Sequence, residues 1–326
     1  MKAVWYESNG AADAVLVLGD MADPAAGAGE VLVRLHASGV NPSDVKARAG
    51  SRPMGFDRVI PHSDGAGLIE AVGAGCDPSL LGTRVFVRNG QWRRAFGTAA
   101  EYIALDAGCV HPLPDGIGFE TGAALGIPAL TAACAVLRDG PVEGETILVH
   151  GGGGTVARLA VQIAVDCGAT VIATTGRPGR AGEVLAAGAD TVIDYRAANL
   201  VEAVADAAGG RRITRVIDSE CGLNLASSIE ILAEKGVIVG YGSVAAPTPE
   251  LPFLKMMFKN LTLSSILVYL LGDDEAAAYA AVIADMLERG ALDARIQQVL
   301  PLAKAARAHE LVEAGDRSGA VILSLA

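Results

Sequence analysis

The run Ile147-Leu-Val-His-Gly-Gly-Gly-Gly-Thr-Val-Ala157 decides the fold. A short apolar stretch, Ile147–His150, is followed by four glycines and then by residues with helical spacing. Gly152-x-Gly154-x-x-Ala157 has the form G-x-G-x-x-A at the junction of a strand and a helix. A Cβ at Gly152 or Gly154 would hold main-chain N–H groups away from a diphosphate, and Ala157 is small enough for the helix to pack on the strand. The first-turn N–H groups and the helix dipole then favour negative charge. Gly151, Gly152, Gly153, Gly154, Thr155 and Val156 are therefore expected to grip a dinucleotide.

The predicted helix supports this reading. Val156, Leu159, Ala160, Ile163, Ala164 and Cys167 form one apolar face, whereas Arg158, Gln162 and Asp166 form the expected solvent stripe. Gly168 supplies a stop. Arg158, a cation in a first helical turn, is either a solvated surface residue or a neighbour of bound phosphate.

Outward from this βαβ unit (145–174) the pattern recurs. Thr170–Ala173, Thr191–Tyr195, Arg215–Asp218 and Gly236–Gly240 read as further buried strands between helices. Residues 123–263 are thus expected to form a Rossmann-type doubly wound parallel sheet. Residues 1–122 differ: Val31–Leu35, Leu68–Val72, Arg84–Val87 and Glu101–Leu105 alternate between Gly/Pro turns, as in a mostly antiparallel barrel-like domain. Residues 264–326 are expected to return to that same domain, an assignment that the family resemblance given below implies. They hold a helix opening at Asp273 and Asp274 and closing at Arg289–Gly290, a second helix from Pro301 to Gly315, and a returning strand at Val321–Leu325. Leu261–Leu271 is too short for a membrane helix, which needs about 20 residues, and reads as a buried or subunit-pairing strand.

With 326 residues the chain has room for two domains. A net charge of -11 argues against nucleic acid as a partner. The start of the chain lacks a run of signal-peptide length. The five cysteines are an odd number at wide spacings without C-x-x-C, so a reducing cytoplasm is expected and disulfides are not.

The second strand of the βαβ unit ends Ala173-Thr-Thr-Gly-Arg177, followed by Arg180, with no carboxylate before Glu183. NAD sites of this type place an acid there for the ribose 2′-hydroxyl. Hydroxyls and guanidinium groups instead suit a 2′-phosphate, so NADPH is the expected cofactor, with Thr174, Thr175 and Arg177 beside it. Whether Arg177 or Arg180 meets the phosphate stays open, as does a merely solvated loop.

The whole chain resembles the zinc-free quinone oxidoreductases, the zeta-crystallin-like branch of the medium-chain dehydrogenase/reductase superfamily. The resemblance is carried by Gly39-Val-Asn-Pro-Ser-Asp44, Asp64-Gly-Ala-Gly67 with Val72-Gly73, and Gly97-Thr-Ala-Ala-Glu-Tyr102. Leu113-Pro114, Ala123-Ala-Leu125, Leu130-Thr-Ala132, the glycine loop, Gly188-Ala-Asp190, Asp194-Tyr195 and Ala308-His-Glu310 extend it in order. It implies a GroES-like first domain, a Rossmann domain, and a substrate that meets the nicotinamide in a cleft. It also implies that Asn41 and Thr131 lie near the nicotinamide, Tyr195 near the 2′-phosphate, and Gly240, Tyr241 and Gly242 along the cofactor. A homodimer or homotetramer is implied too. Departures are Thr155 and Ala157 in the loop, Gly319-Ala320 before the last strand, and Lys46 and Arg52 where relatives often have tyrosines near the substrate. Lys46 and Arg52 are either groups that orient a carbonyl or acidic substituent, or exposed loop cations.

Zinc-dependent relatives carry a Cys where Asn41 stands and a His–Glu pair where Ser63–Asp64 stand. His62 alone is a poor zinc site, and His36, His111, His150 and His309 read as structural. No metal is expected. Without a Lewis acid, acceptors that delocalise negative charge are favoured. The expectation is an NADPH-dependent reductase of a quinone. The alternatives are an enone or acrylate double-bond reductase, or a non-catalytic NADPH-binding structural or sensing protein.

Overall fold

The computed structural model describes residues 1–196 and 199–325. The chain forms two compact units, residues 1–130 with 269–326 and residues 131–268. The breaks fall at 130/131 and 268/269 rather than at 122/123 and 263/264.

The first unit opens with the antiparallel pair β1 (Lys2–Trp5) and β2 (Val17–Asp20), separated by the single turn α1 (Ala12–Val15). Its long strand β3 (Glu30–Val40) leads into α2 (Pro42–Ala49) and β4 (Asp64–Val72). β5 (Arg84–Val87), β6 (Tyr102–Asp106), β7 (Val110–Pro112) and the short α3 (Phe119–Gly122) follow. α4 (Pro128–Leu137) carries the chain into the second unit.

The second unit alternates strictly: β8 (Thr146–Val149), α5 (Thr155–Asp166), β9 (Thr170–Thr175), α6 (Ala181–Ala186) and β10 (Thr191–Asp194). α7 (Leu200–Ala208), β11 (Ile213–Asp218), α8 (Cys221–Ile231), β12 (Val237–Gly240), α9 (Phe253–Lys259) and β13 (Thr262–Ser265) complete it. All its strand pairs are parallel, in the order β10-β9-β8-β11-β12-β13. That is the 3-2-1-4-5-6 order of a dinucleotide-binding sheet, reversing direction between β8 and β11. Its core packs Leu148, Ile172 and Val216 of the sheet against Val204 and Ile229 of the helices.

The chain then returns to the first unit through α10 (Asp273–Glu288), β14 (Ile296–Pro301), α11 (Ala305–Glu313) and β15 (Ala320–Ser324). β3 organises that unit's seven-stranded sheet. One edge of β3 pairs β4, and the other is shared along its length by β6 and then β15, all antiparallel. β14 alone lies parallel, on β15. The sequence reading placed a helix from Pro301; the structure has a strand there first, because Ile296–Pro301 is bound along β15 and only Ala305 onward is free to coil. Similarly, only Thr262–Ser265 of the run 261–271 is extended, since a 3₁₀ turn takes Val268–Leu270.

Candidate active site

In the second unit, β8 delivers the glycine turn to the carboxyl edge of the sheet. Gly151 has φ of 66°, a left-handed backbone that favours glycine. The turn is pinned from β9: Gly152 N–H donates to Thr174 O at 2.8 Å, and Gly151 N–H donates to Thr174 Oγ1 at 3.1 Å. His150 Nδ1 lies 3.2 Å from the same hydroxyl. Thr174 is fully buried, so its role is to hold the turn from behind. Thr175 is also buried, and its hydroxyl accepts from Arg177 N–H at 3.1 Å, shaping the next loop.

Glycine is needed in this turn for two reasons, only one of which the sequence suggested. A Cβ on Gly152 would come 2.8 Å from Val184 Cγ1 and 3.1 Å from Ala173 Cβ, so this position lets α6 and β9 close behind the turn. On Gly154 it would meet only Gly151 O, at 3.3 Å. Gly154 is the N-cap of α5 and supplies no side chain to its first-turn N–H groups. Thr155, Val156 and Ala157 thus begin a helix whose first-turn N–H groups have no side-chain cap, an end that favours negative charge. Ala157 is buried, as its packing role requires. The expected solvent stripe of α5 is corrected at Gln162, which is buried although Asp166 is exposed.

The neighbouring loops of the carboxyl edge add cations. Arg180 lies against the turn: its Cδ is 3.3 Å from where a Gly153 Cβ would stand, and Nη1 donates to Gly153 O at 3.4 Å. Arg177 is exposed at the end of β9. Tyr195, just past β10, covers Gly176 so closely that a Cβ there would be 2.2 Å from the phenolic oxygen. The Arg196 guanidinium lies 5.9 Å from the Tyr195 ring centroid. Arg196 and Gly176 escaped the sequence reading, although Gly176 sits between two residues it named. At the ends of β11 and β12, Tyr241 N–H donates to Asp218 O at 3.0 Å, and Cys221 N–H to Gly242 O at 2.9 Å. A Cβ on Gly242 would stand 2.5 Å from Ser219 O, so Gly240–Gly242 follow this edge closely. Thr131 is buried on α4.

In the first unit, Asn41 caps the entry to α2. Its backbone N–H donates to Asp44 Oδ2 at 2.8 Å and its side-chain Nδ2 to Asp64 Oδ2 at 2.8 Å. The second bond fixes which way the amide faces. Asp64 is fully buried and also accepts from Ile127 N–H at 2.9 Å. Burial drives the Asp64 carboxyl well above the carboxylate range. Its Oδ1 has no partner, so Oδ1 is the oxygen that would carry the proton. Burial likewise lifts Asp44 to about 7, opposed by the Asn41 N–H bond and by Arg52. Tyr269 donates to Ser43 Oγ at 2.9 Å, and burial raises its phenol so that it stays protonated.

Tyr269 also stacks on Trp92, with centroids 4.5 Å apart and planes at 14°. Trp92 borders a pocket of about 230 Å³, lined also by Tyr6, Arg52, Met54, Phe56 and Arg93. Of the two cations noted in the sequence, Arg52 lines this pocket, whereas Lys46 is exposed on α2 and does not. Trp92 and Tyr269 carried no local signal; only the returning chain brings them face to face.

His62 is not alone, as the sequence suggested. His62 Nε2 is 2.9 Å from His309 Nε2 on α11, and His62 Nδ1 is 2.9 Å from Ser38 Oγ. Burial depresses both rings, His309 to about 3, and they stand as a neutral hydrogen-bonded pair. Among the described residues no three His, Cys, Asp or Glu side chains gather to hold a metal ion. Asn41 and Ser63 offer no thiolate or imidazole beside Asp64, so the donor set does not fit zinc.

Comparisons agree with this arrangement. Residues 27–115 match the family model described as alcohol dehydrogenase GroES-like domain, and residues 155–286 match zinc-binding dehydrogenase. A quinone oxidoreductase of Sus scrofa is 32% identical over 330 aligned positions, covering all of this chain and 98% of the relative. A mycobacterial protein solved in complex with NADPH superposes with a TM-score of 0.86 at 28% identity, covering 99% of both chains. The Escherichia coli quinone oxidoreductase, also solved with NADPH, gives 0.87 at 25% identity over 99% of this chain and all of the other. With its antiparallel first unit, its parallel dinucleotide-type sheet and these end-to-end relatives, the chain belongs to the zinc-free quinone oxidoreductase branch of the medium-chain dehydrogenase/reductase superfamily.

Proposed function

We propose that this chain is an oxidoreductase that uses NADPH to reduce a quinone without a metal ion. The observation that carries the reading is the glycine turn at the switch point of the parallel sheet, flanked by a strand that ends Thr175-Gly176-Arg177 instead of in an acid. The residues fit the cofactor. Gly151–Gly154 and the first turn of α5 hold the diphosphate. Arg177, Arg180, Tyr195 and Arg196 hold the 2′-phosphate, and Gly240–Gly242 follow the rest of the dinucleotide. Bound NADPH supplies the hydride. Asn41, aligned by Asp64, and Thr131 orient the reacting groups; Arg52 and Lys46 steer the acceptor. A quinone spreads the charge it gains, so the protein need supply only position and exclusion of water.

A second copy of this chain is the proposed partner. β13 is an edge strand, and just before it in the chain Phe253, Leu254, Met257 and Phe258 of α9 are exposed, Phe258 by 79%. Exposed apolar side chains and an open sheet edge both fit self-association. No helix among the described residues is long and apolar enough to cross a membrane. All five cysteines are free, which suits the cytoplasm.

Calorimetric titration should show NADPH bound at least tenfold more tightly than NADH, since charge-assisted bonds to a phosphate contribute about 1.5–3 kcal/mol each. Arg180→Ala should erase most of that preference. Naphthoquinones should be reduced in steady-state assays. Equal affinity for NADH, or turnover of enones but of no quinone, would overturn the reading.

A further inference from the structure

The pocket beside Trp92 has a composition that the bare transfer of hydride does not require. Tyr6, Pro53, Met54, Phe56 and Val59 give it an apolar wall, and its volume of about 230 Å³ suits a bicyclic ring system. Two guanidinium groups stand at the same indole: Arg93 at 5.2 Å and Arg52 at 5.8 Å from the Trp92 centroid. Trp92 is itself fixed by stacking on Tyr269, so the indole holds both cations in place.

Neither arginine is held in an ion pair, although the buried Asp44 carboxyl faces Arg52. Among the described residues, Arg52 donates one long bond to Gln91 Oε1 at 3.4 Å, and neither Arg52 nor Arg93 forms an ion pair. Arg58, a few residues away, shows the contrast: it is paired with Glu7 at 2.6 Å and covers Trp5. Arg93 also occupies a left-handed backbone, φ 57°, which costs free energy for a residue with a Cβ. Two like charges beside one ring repel, and the arrangement is favourable once an anion lies between them.

We infer that this pocket selects a planar aromatic acceptor bearing a negative charge, a quinone with a carboxylate or sulfonate substituent. The ring system lies along Tyr6, Met54 and Phe56, and the acid group pairs with Arg52 and Arg93. The pocket is tied to the reacting end through Tyr269, which stacks on Trp92 and donates to Ser43, two residues from Asn41. Arg52 and Arg93 are thereby specificity residues, and the inference rests on the quinone reading above.

Two readouts test it separately from that reading. Calorimetry compares 2-naphthoate with 2-naphthol, neither of which is reduced. Steady-state assays compare kcat/KM for 1,2-naphthoquinone-4-sulfonate and 1,2-naphthoquinone, in the wild type and in the Arg52→Gln/Arg93→Gln double variant. The wild type should bind naphthoate about tenfold better than naphthol, the scale of one partly screened charge-assisted bond. The double variant should lose that preference, and its sulfonate-to-neutral ratio of kcat/KM should fall about tenfold. Dividing the ratio for one protein by that for the other cancels the intrinsic reactivities of the two quinones. An unchanged ratio, or equal binding of naphthoate and naphthol, overturns the anion pocket. If neither quinone is reduced while arginine-dependent naphthoate binding persists, the quinone reading fails and the anion pocket stands. Thermal melts of the double variant, which keeps polar side chains at two exposed positions, should match the wild type.

Discussion

Asp44 shows what single-residue reading can and cannot reach. The segment Asn41-Pro-Ser-Asp44 was legible as a family signature, yet the carboxyl's burial beneath Arg52 and next to Tyr269 depends on chain segments more than two hundred residues apart. Its folded pKa near 7 lies above the usual value of about 3.9. Between those values the folded chain keeps a proton that the unfolded chain releases, so stability falls as pH rises through this window and levels above it. Asp44→Asn should flatten that decline while its amide oxygen still serves Asn41 N–H. The difference in unfolding free energy between pH 5.5 and pH 8 should shrink by about 1–3 kcal/mol, allowing for a shift of a unit or two. The buried histidines act with the opposite sign below pH 6.5 and cancel when variant and wild type are compared. Parallel stability curves would show that Asp44 does not titrate. Gln162 marks the other limit of residue-level reading: its polar side chain suggested solvent, but α5 is enclosed on nearly every side and buries it.

At the scale of elements, the repeating strand–helix units of the second unit were legible to within a few residues, because most of its strands carry a short apolar run, such as Ile147–Val149, Val171–Ala173 and Val237–Val239, between helical patterns. What sequence did not reveal is how α4 is finished. Arg215, on β11 and buried, turns its guanidinium onto the carbonyl oxygens of Val136, Asp139 (3.0 Å) and Gly140 (3.3 Å). Those carbonyls belong to the last turn of α4 and the residues after it, where helical partners run out and a cation is favoured. In the sequence Arg215 simply opened the predicted strand Arg215–Asp218. Arg215→Ala should destabilise the protein by about 3 kcal/mol or more, since it strands buried acceptors and leaves a cavity. Arg215→Lys, with a point charge in place of a fork, should recover only part of this. Urea denaturation measures both; a loss below about 1 kcal/mol for the alanine variant would show that solvent replaces the guanidinium. β14 was missed for a related reason: Ile296-Gln-Gln-Val-Leu-Pro301 becomes a strand only because β15 offers it an edge.

For the whole molecule, both units were foreseeable in kind because each carries its own periodicity and its own core. The surface proposed for self-association was visible only as an apolar run of ambiguous purpose. In the structure this run holds an edge strand, β13, with Leu263 exposed, and it follows the exposed side chains of α9 in the chain. If a second copy covers this surface, replacing two of its apolar side chains by charges should separate the copies without touching either core. Leu263→Lys with Phe258→Glu alters two exposed positions, 44% and 79% open, so the folded chain should retain its melting behaviour apart from any loss due to dissociation. Light scattering should give a mass of at least two chains for the wild type and of one chain, 33.1 kDa, for the double variant at micromolar concentration. NADPH affinity should survive, because Gly151–Gly154 and Arg180 lie on the strand–helix turns of β8 and β9 and not on the β13 edge. A wild-type mass of one chain would leave the α9 face to some other partner and remove the case for self-association.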